Sequence, residues 1–87
     1  MKISSKNKQN LKGIAHSIKP SIIIGKEGLS KGTINSINNV LEHKELIKIK
    51  FNSYRDEKHS IAKSIEDSCE ATIIGQIGNI LILFKQN

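Results

Sequence analysis

Residues 24–33 read Ile-Gly-Lys-Glu-Gly-Leu-Ser-Lys-Gly-Thr, a Gly-x-x-Gly pattern that closes an apolar run and opens an amphipathic segment. Glycines at both ends let the backbone turn sharply and come close to another backbone. A helix starting just beyond offers unpaired amide N–H groups and the positive end of its dipole, which suit a phosphate. In a chain of net charge +6 the matching ligand is a nucleic-acid backbone. Gly25 and Gly28 would lie against the sugar–phosphate chain, with Lys26 at the tip as a flexible point charge. Glu27 opposes this, since a carboxylate repels phosphate unless it faces away or caps the next helix. The same spacing also serves an ordinary strand-to-helix turn that needs glycine for geometry alone.

Lys12, Lys19 and Lys31 extend the candidate positive surface, with Lys48 and Lys50 a second tier on an alternating strand. Tyr54 and Arg55 could stack on a base and grip a phosphate, or simply form a surface loop. His16 could contact a ligand or hold the turn at Pro20. Catalytic constellations are missing. His59 and Cys69 are ten residues apart, about 15 Å along a helix, too far for a nucleophile and its base. Glu66 and Asp67 are adjacent and point apart, and Glu66 with Glu70 reads as an exposed acidic face. The three histidines lack metal-ligand spacing, and the single cysteine excludes an internal disulfide and a CxxC zinc site. The chain therefore reads as a non-enzyme with no cofactor, no metal and no small-molecule substrate.

The elements that must position these residues follow from periodicity. Leu11, Ile14, Ala15 and Ile18 recur at helical intervals from Ser5, with Ser4 or Ser5 as N-cap. Gly13 weakens that helix by about 1 kcal/mol against alanine, which suggests close packing there. Pro20 ends it. Ser21 to Gly25 is a β-branched run that predicts a strand covered on both faces. Leu29, Ile34, Ile37, Val40 and Leu41 predict a second helix to about His43. Leu46 to Asn52 alternates, with Ile47, Ile49 and Phe51 inward and Lys48 and Lys50 on a wet face. Ile61, Ala62, Ile65 and Cys69 mark a third helix, and residues 72–77 and 80–85 form a hairpin about Gly78-Asn79. The predicted order is α-β-α-β-α-β-β, a compact α/β fold with a mixed four-stranded sheet and helices mainly on one face. Residues 1–87 read as a single domain.

Composition narrows the function. Lys2, Lys6, Lys8, Lys12, Lys19 and Lys26 all precede the first acid, Glu27, and segregated positive charge attracts polyanions. No apolar run approaches the ~20 residues of a membrane span, and no apolar core follows the basic N-terminus. These features predict a cytoplasmic protein. With Phe51 and Phe84 at core positions, Tyr54 is the only other aromatic. A sheet that stacks bases on several aromatics is thereby disfavoured, and backbone and phosphate contacts should lead.

Three blocks in this order and spacing carry a family resemblance: Leu-Lys-Gly-Ile-Ala-His-Ser-Ile-Lys-Pro (11–20), Ile-Gly-Lys-Glu-Gly-Leu (24–29) and Leu-Glu-His-Lys-Glu-Leu-Ile-Lys-Ile-Lys (41–50). Ile-Gly-Gln-Ile-Gly (74–78) before an apolar strand adds to them. Over nearly its whole length the chain resembles the CRM domain (chloroplast RNA splicing and ribosome maturation), in its stand-alone bacterial, YhbY-type form. The resemblance implies a fold similar to the C-terminal domain of translation initiation factor three, with RNA bound around the glycine loop. It further implies association with ribosomal RNA in precursors of the large ribosomal subunit (pre-50S particles). A constitutive ribosome component, a general RNA chaperone and a protein–protein adaptor remain alternatives. No long exposed apolar face demands a dimer, so a monomer is expected.

Overall fold

A computed structural model describes residues 3–86; Lys2 of the N-terminal lysine series lies outside them. Helix α1 spans Ser5–Ala15, and the Ser4 hydroxyl caps it by accepting the Asn7 N–H at 3.2 Å. Strand β1 (Ile22–Ile24) leads through the glycine loop to α2 (Lys31–His43), which Ser30 caps by accepting from the Thr33 N–H. Strand β2 (Leu46–Phe51), a short 3₁₀ turn (Arg55–Glu57) and α3 (Lys58–Cys69) follow. The hairpin of β3 (Thr72–Ile77) and β4 (Ile80–Phe84) completes the fold. It turns at Gly78, whose φ of +57° suits glycine.

The element order is the predicted one, and the sheet is mixed, in the order β1-β2-β4-β3. Strands β1 and β2 run parallel, with Ile22 beside Ile49 and Ile24 beside Phe51. Strand β4 inserts antiparallel between β2 and β3. Helices α2 and α3 pack on one face, where Ile24, Ile37, Leu41, Ile47, Ile49, Phe51, Ile65 and Leu83 are fully or almost fully buried.

The second face departs from expectation. It is only partly wet, because α1 lies across β2 and β3 there and builds a smaller core from Ala15, Ile74 and Ile82. A bulge between Ile73 and Gly75 belongs to this packing. At Gly75 an added Cβ would sit 2.5 Å from Cε of Lys12, so glycine lets the lysine stem lie flat on β3. The close approach expected at Gly13 occurs at Gly75 instead, since nothing lies within 4 Å of a Cβ at Gly13. Ile14, expected in the α1 seam, is 57% exposed. Helix α1 also stops at Ala15, short of Pro20. Strand β1 is an edge strand that α1 does not reach, which leaves Ile23 exposed where a strand covered on both faces was expected.

Burial sets the energetic contrast. Ile49→Ala should lower unfolding stability by about 2–5 kcal/mol in a urea titration, through lost transfer energy and a cavity. Ile14→Ala should stay within about 0.5 kcal/mol, as surface substitutions do.

Candidate nucleic-acid interface

The glycine loop is tied down by its neighbours before it meets any ligand. The Ile24 carbonyl accepts from the amides of Asn52 (3.0 Å) and Ser53 (3.2 Å), pinning the end of β1 to the segment after β2. The Gly28 N–H donates to the Gly25 carbonyl at 3.0 Å, closing a four-residue turn with Lys26 and Glu27 exposed at its corner. Gly28 has φ +68°, and a Cβ there would lie 3.1 Å from the Tyr54 ring. This glycine is required by the fold itself, through both its backbone conformation and the ring beside it. The Thr33 hydroxyl donates to the Gly28 carbonyl at 3.4 Å and joins the loop to the first turn of α2.

Tyr54 is the latch. Its hydroxyl donates to the Lys26 carbonyl at 2.7 Å, across 28 positions of sequence. To reach it, Tyr54 adopts φ +57°, a left-handed conformation rare for a bulky residue. The sequence suggested a base-stacking role for this ring; the structure sets it against Gly28, with 43% of the residue exposed.

Gly25 differs from Gly28. Its φ is outside the left-handed region, and an added Cβ would meet nothing within 4 Å. Neither backbone conformation nor internal packing calls for glycine there. Glu27 does not cap α2, because Ser30 does, so its carboxylate stays at the exposed corner.

The predicted basic residues fall into three places. Lys26, Lys31 and Arg55 are exposed around the loop, at its corner, at the start of α2 and directly after Tyr54. Lys12, Lys48 and His16 line a groove of about 200 Å³ between α1 and the sheet, with Ile77, Ile80 and Ile82 as its apolar wall. Lys50 is exposed on that same sheet face. Lys19 stands apart, beside His43 and Lys44 at the far end of α2. That helix has 13 residues, so Lys19 is about 20 Å from the loop.

The residues that suggested chemistry are otherwise engaged. His59 Nδ1 lies 2.7 Å from the Gln76 side chain. Cys69 is buried, and desolvation pushes its thiol pKa up against the pull of the Lys85 ammonium, the reverse of an activated nucleophile. Glu66, read as part of an exposed acidic face, is half-buried and accepts the Ile73 N–H at 2.8 Å. Among the described residues no group of three or more His, Cys, Asp or Glu could hold a metal ion, and no helix is long and apolar enough to cross a membrane.

Comparison with known proteins gives a consistent set of likenesses. The model of the CRS1 / YhbY (CRM) domain matches residues 3–85. A protein of Haemophilus influenzae named "RNA-binding protein" is 39% identical over 84 residues, covering 95% of this chain and 85% of that one. A "Probable RNA-binding protein" of Methanocaldococcus jannaschii is 30% identical, over 97% of this chain and 64% of its own length. The solution structure of a hypothetical protein from Staphylococcus aureus, named as a candidate RNA-binding protein, aligns with TM-score 0.84. Its identity is 28%, over 99% of this chain and 91% of that one.

Tyr54→Phe removes the latch bond and leaves the ring. Stability should fall by about 0.5–1.5 kcal/mol, the net worth of one hydrogen bond, and hydrogen exchange at the amides of residues 26–28 should speed up. Unchanged exchange there would show that the hydroxyl does not hold the loop.

Proposed function

The chain belongs to the CRS1/YhbY (CRM) domain family, and on that footing we propose that it is an RNA-binding protein whose glycine loop rests on the RNA backbone. The observation that carries this reading is Gly25, a glycine that neither φ nor internal packing requires. It is set in a corner beside the exposed Lys26. A residue without a side chain at such a place admits close approach by a second backbone. Tyr54 occupies the Lys26 carbonyl, an oxygen that would repel phosphate. Lys26, Lys31 and Arg55 then supply positive charge beside the start of α2, where the helix dipole acts in the same direction. Glu27 subtracts from that field. Lys12, Lys48 and Lys50 add a second basic area on the sheet, and Lys19 lies too far away to touch the same few nucleotides.

In the finer reading the chain is a single-domain, monomeric, non-enzymatic protein of the bacterial cytoplasm. It binds ribosomal RNA as an assembly factor of the large subunit and leaves before the particle matures. The family resemblance supports the ribosomal part, and the RNA-binding names of its relatives support the ligand. The buried, poorly ionising thiol of Cys69 supports a role without covalent catalysis.

Gly25→Ala should fold normally, with stability unchanged or raised by about 0.4–1 kcal/mol because alanine restricts the unfolded chain. It should nevertheless weaken RNA binding about tenfold, ~1.4 kcal/mol. With four or five phosphate contacts the wild-type log–log salt slope should be about −3, at ~0.7 per contact for a single strand. In sucrose gradients of growing cells the tagged wild type should co-migrate with pre-50S particles and be absent from 70S ribosomes, and Gly25→Ala should move toward the top. A Gly25→Ala variant that binds RNA like the wild type would refute the loop mechanism. Stable wild type in 70S ribosomes would indicate a ribosome component, and migration at the top with diverse messenger fragments a general chaperone.

A further inference from the structure

The strand register places four side chains in one line across the sheet on the face that α1 half covers. Ile23 of β1 is opposite Lys50 of β2, Lys50 is opposite Ile80 of β4, and Ile80 is opposite Ile77 of β3. Three strand spacings of ~4.8 Å make this row about 14 Å long. It lies toward the end of the face that α1 covers least: Ile80 still packs against the small core beneath the helix, with Leu46, Ile82 and Phe84, while Ile23, Lys50 and Ile77 are exposed. Ile23, on the edge strand, is 57% exposed and Ile77, at the end of β3, 56%, and the row aligns both with the exposed Lys50. The fold gains little from apolar side chains at those two places.

We propose that this row, with the groove of Lys12, His16 and Lys48 beside it, is a docking surface for unpaired nucleobases of a single-stranded RNA. The proposal rests on the RNA-binding reading above and adds a second site to it. Charge and polarity decide the occupant. The lining combines apolar side chains with lysines and a histidine and includes no carboxylate, so the ligand must present flat apolar surface and negative charge together. Splayed bases on a phosphate chain do so. A duplex hides its bases and would leave the isoleucines uncovered. Continuity points the same way, because Ile23 is followed by Ile24 and then Gly25, so a strand resting on the loop runs directly onto the row. Gly75 is explained as well: it lets the Lys12 stem lie flat and carry its ammonium to the groove. With aliphatic side chains in place of aromatics, base identity should matter little.

Two double variants test this by fluorescence anisotropy, with a short unstructured RNA and a blunt RNA duplex of equal length as probes. Ile23→Ser/Ile77→Ser alters exposed side chains only, and a thermal melt verifies its fold. It should weaken single-strand binding about tenfold, leave duplex binding unchanged and keep the wild-type salt slope, since no charge is lost. Lys48→Gln/Lys50→Gln should make the single-strand slope shallower by about 1.4, at ~0.7 per contact. Single-strand binding by Ile23→Ser/Ile77→Ser at wild-type strength, alongside a weakened Lys26→Glu, would overturn the proposal and leave the loop reading intact. Wild-type RNA affinity with self-association lost in sedimentation equilibrium would also overturn it, and assign the row to a contact between copies. A wild type that binds neither probe would remove the RNA-binding reading beneath it.

Discussion

Strand β4 is the constraint on which the other elements depend. Leu81, Ile82 and Leu83 are buried in succession, and adjacent strand residues point to opposite faces. A layer is therefore needed on each side of the sheet. Leu81 and Leu83 enter the core beneath α2 and α3, and Ile82 enters the core beneath α1. Because β4 is paired along both edges, it is an inner strand, with β3 at one edge of the sheet and β2 between it and β1. The same pairing gathers the elements around the glycine loop. The Phe51 N–H donates to the Asn79 carbonyl at 2.8 Å, so the hairpin turn meets the end of β2. From there the chain passes through Asn52 and Ser53, which hold Ile24, to Tyr54, which holds Lys26.

The loop is thus an exposed corner built on fixed neighbours. Its two glycines have different duties. Gly28 serves the turn and the tyrosine ring, and Gly25 keeps the outer surface free of a side chain. A pre-set corner spares a ligand the entropy of ordering it. The left-handed Tyr54 is a local strain of about 1–3 kcal/mol, offset by the hydrogen bond and ring packing it permits.

Much of this was legible in the residues. A period of three to four placed the three helices and a period of two placed β2, because each of these buries one stripe and exposes another; a β-branched run placed β1, and the turn at Gly78-Asn79 placed β3 and β4. The glycine loop was legible by its position between a β-branched run and a capped helix. Contacts between residues far apart in sequence were not. Nothing local in Tyr54 announces a bond to residue 26, although its standing as the sole aromatic outside the core pattern was a signal. The exposure of Ile23 is a matter of edge position, which depends on strand order. The coverage of the lysine face was missed because α1 precedes the sheet it covers, and Ile74 and Ile82 come more than fifty residues after that helix. The close approach expected at Gly13 falls at Gly75 for a similar reason: it is made by Lys12, far away in sequence.

The most direct test of a latched loop that meets RNA through its backbone is an amide NMR titration of the labelled protein with a short single-stranded RNA. The account predicts that the amides of Gly25, Lys26, Glu27 and Lys31 shift most. Those lining the cleft at the opposite ends of α2 and α3, Asn38, Glu70 and Lys85, should stay in place. Largest shifts at that cleft, with the glycine loop unmoved, would contradict it.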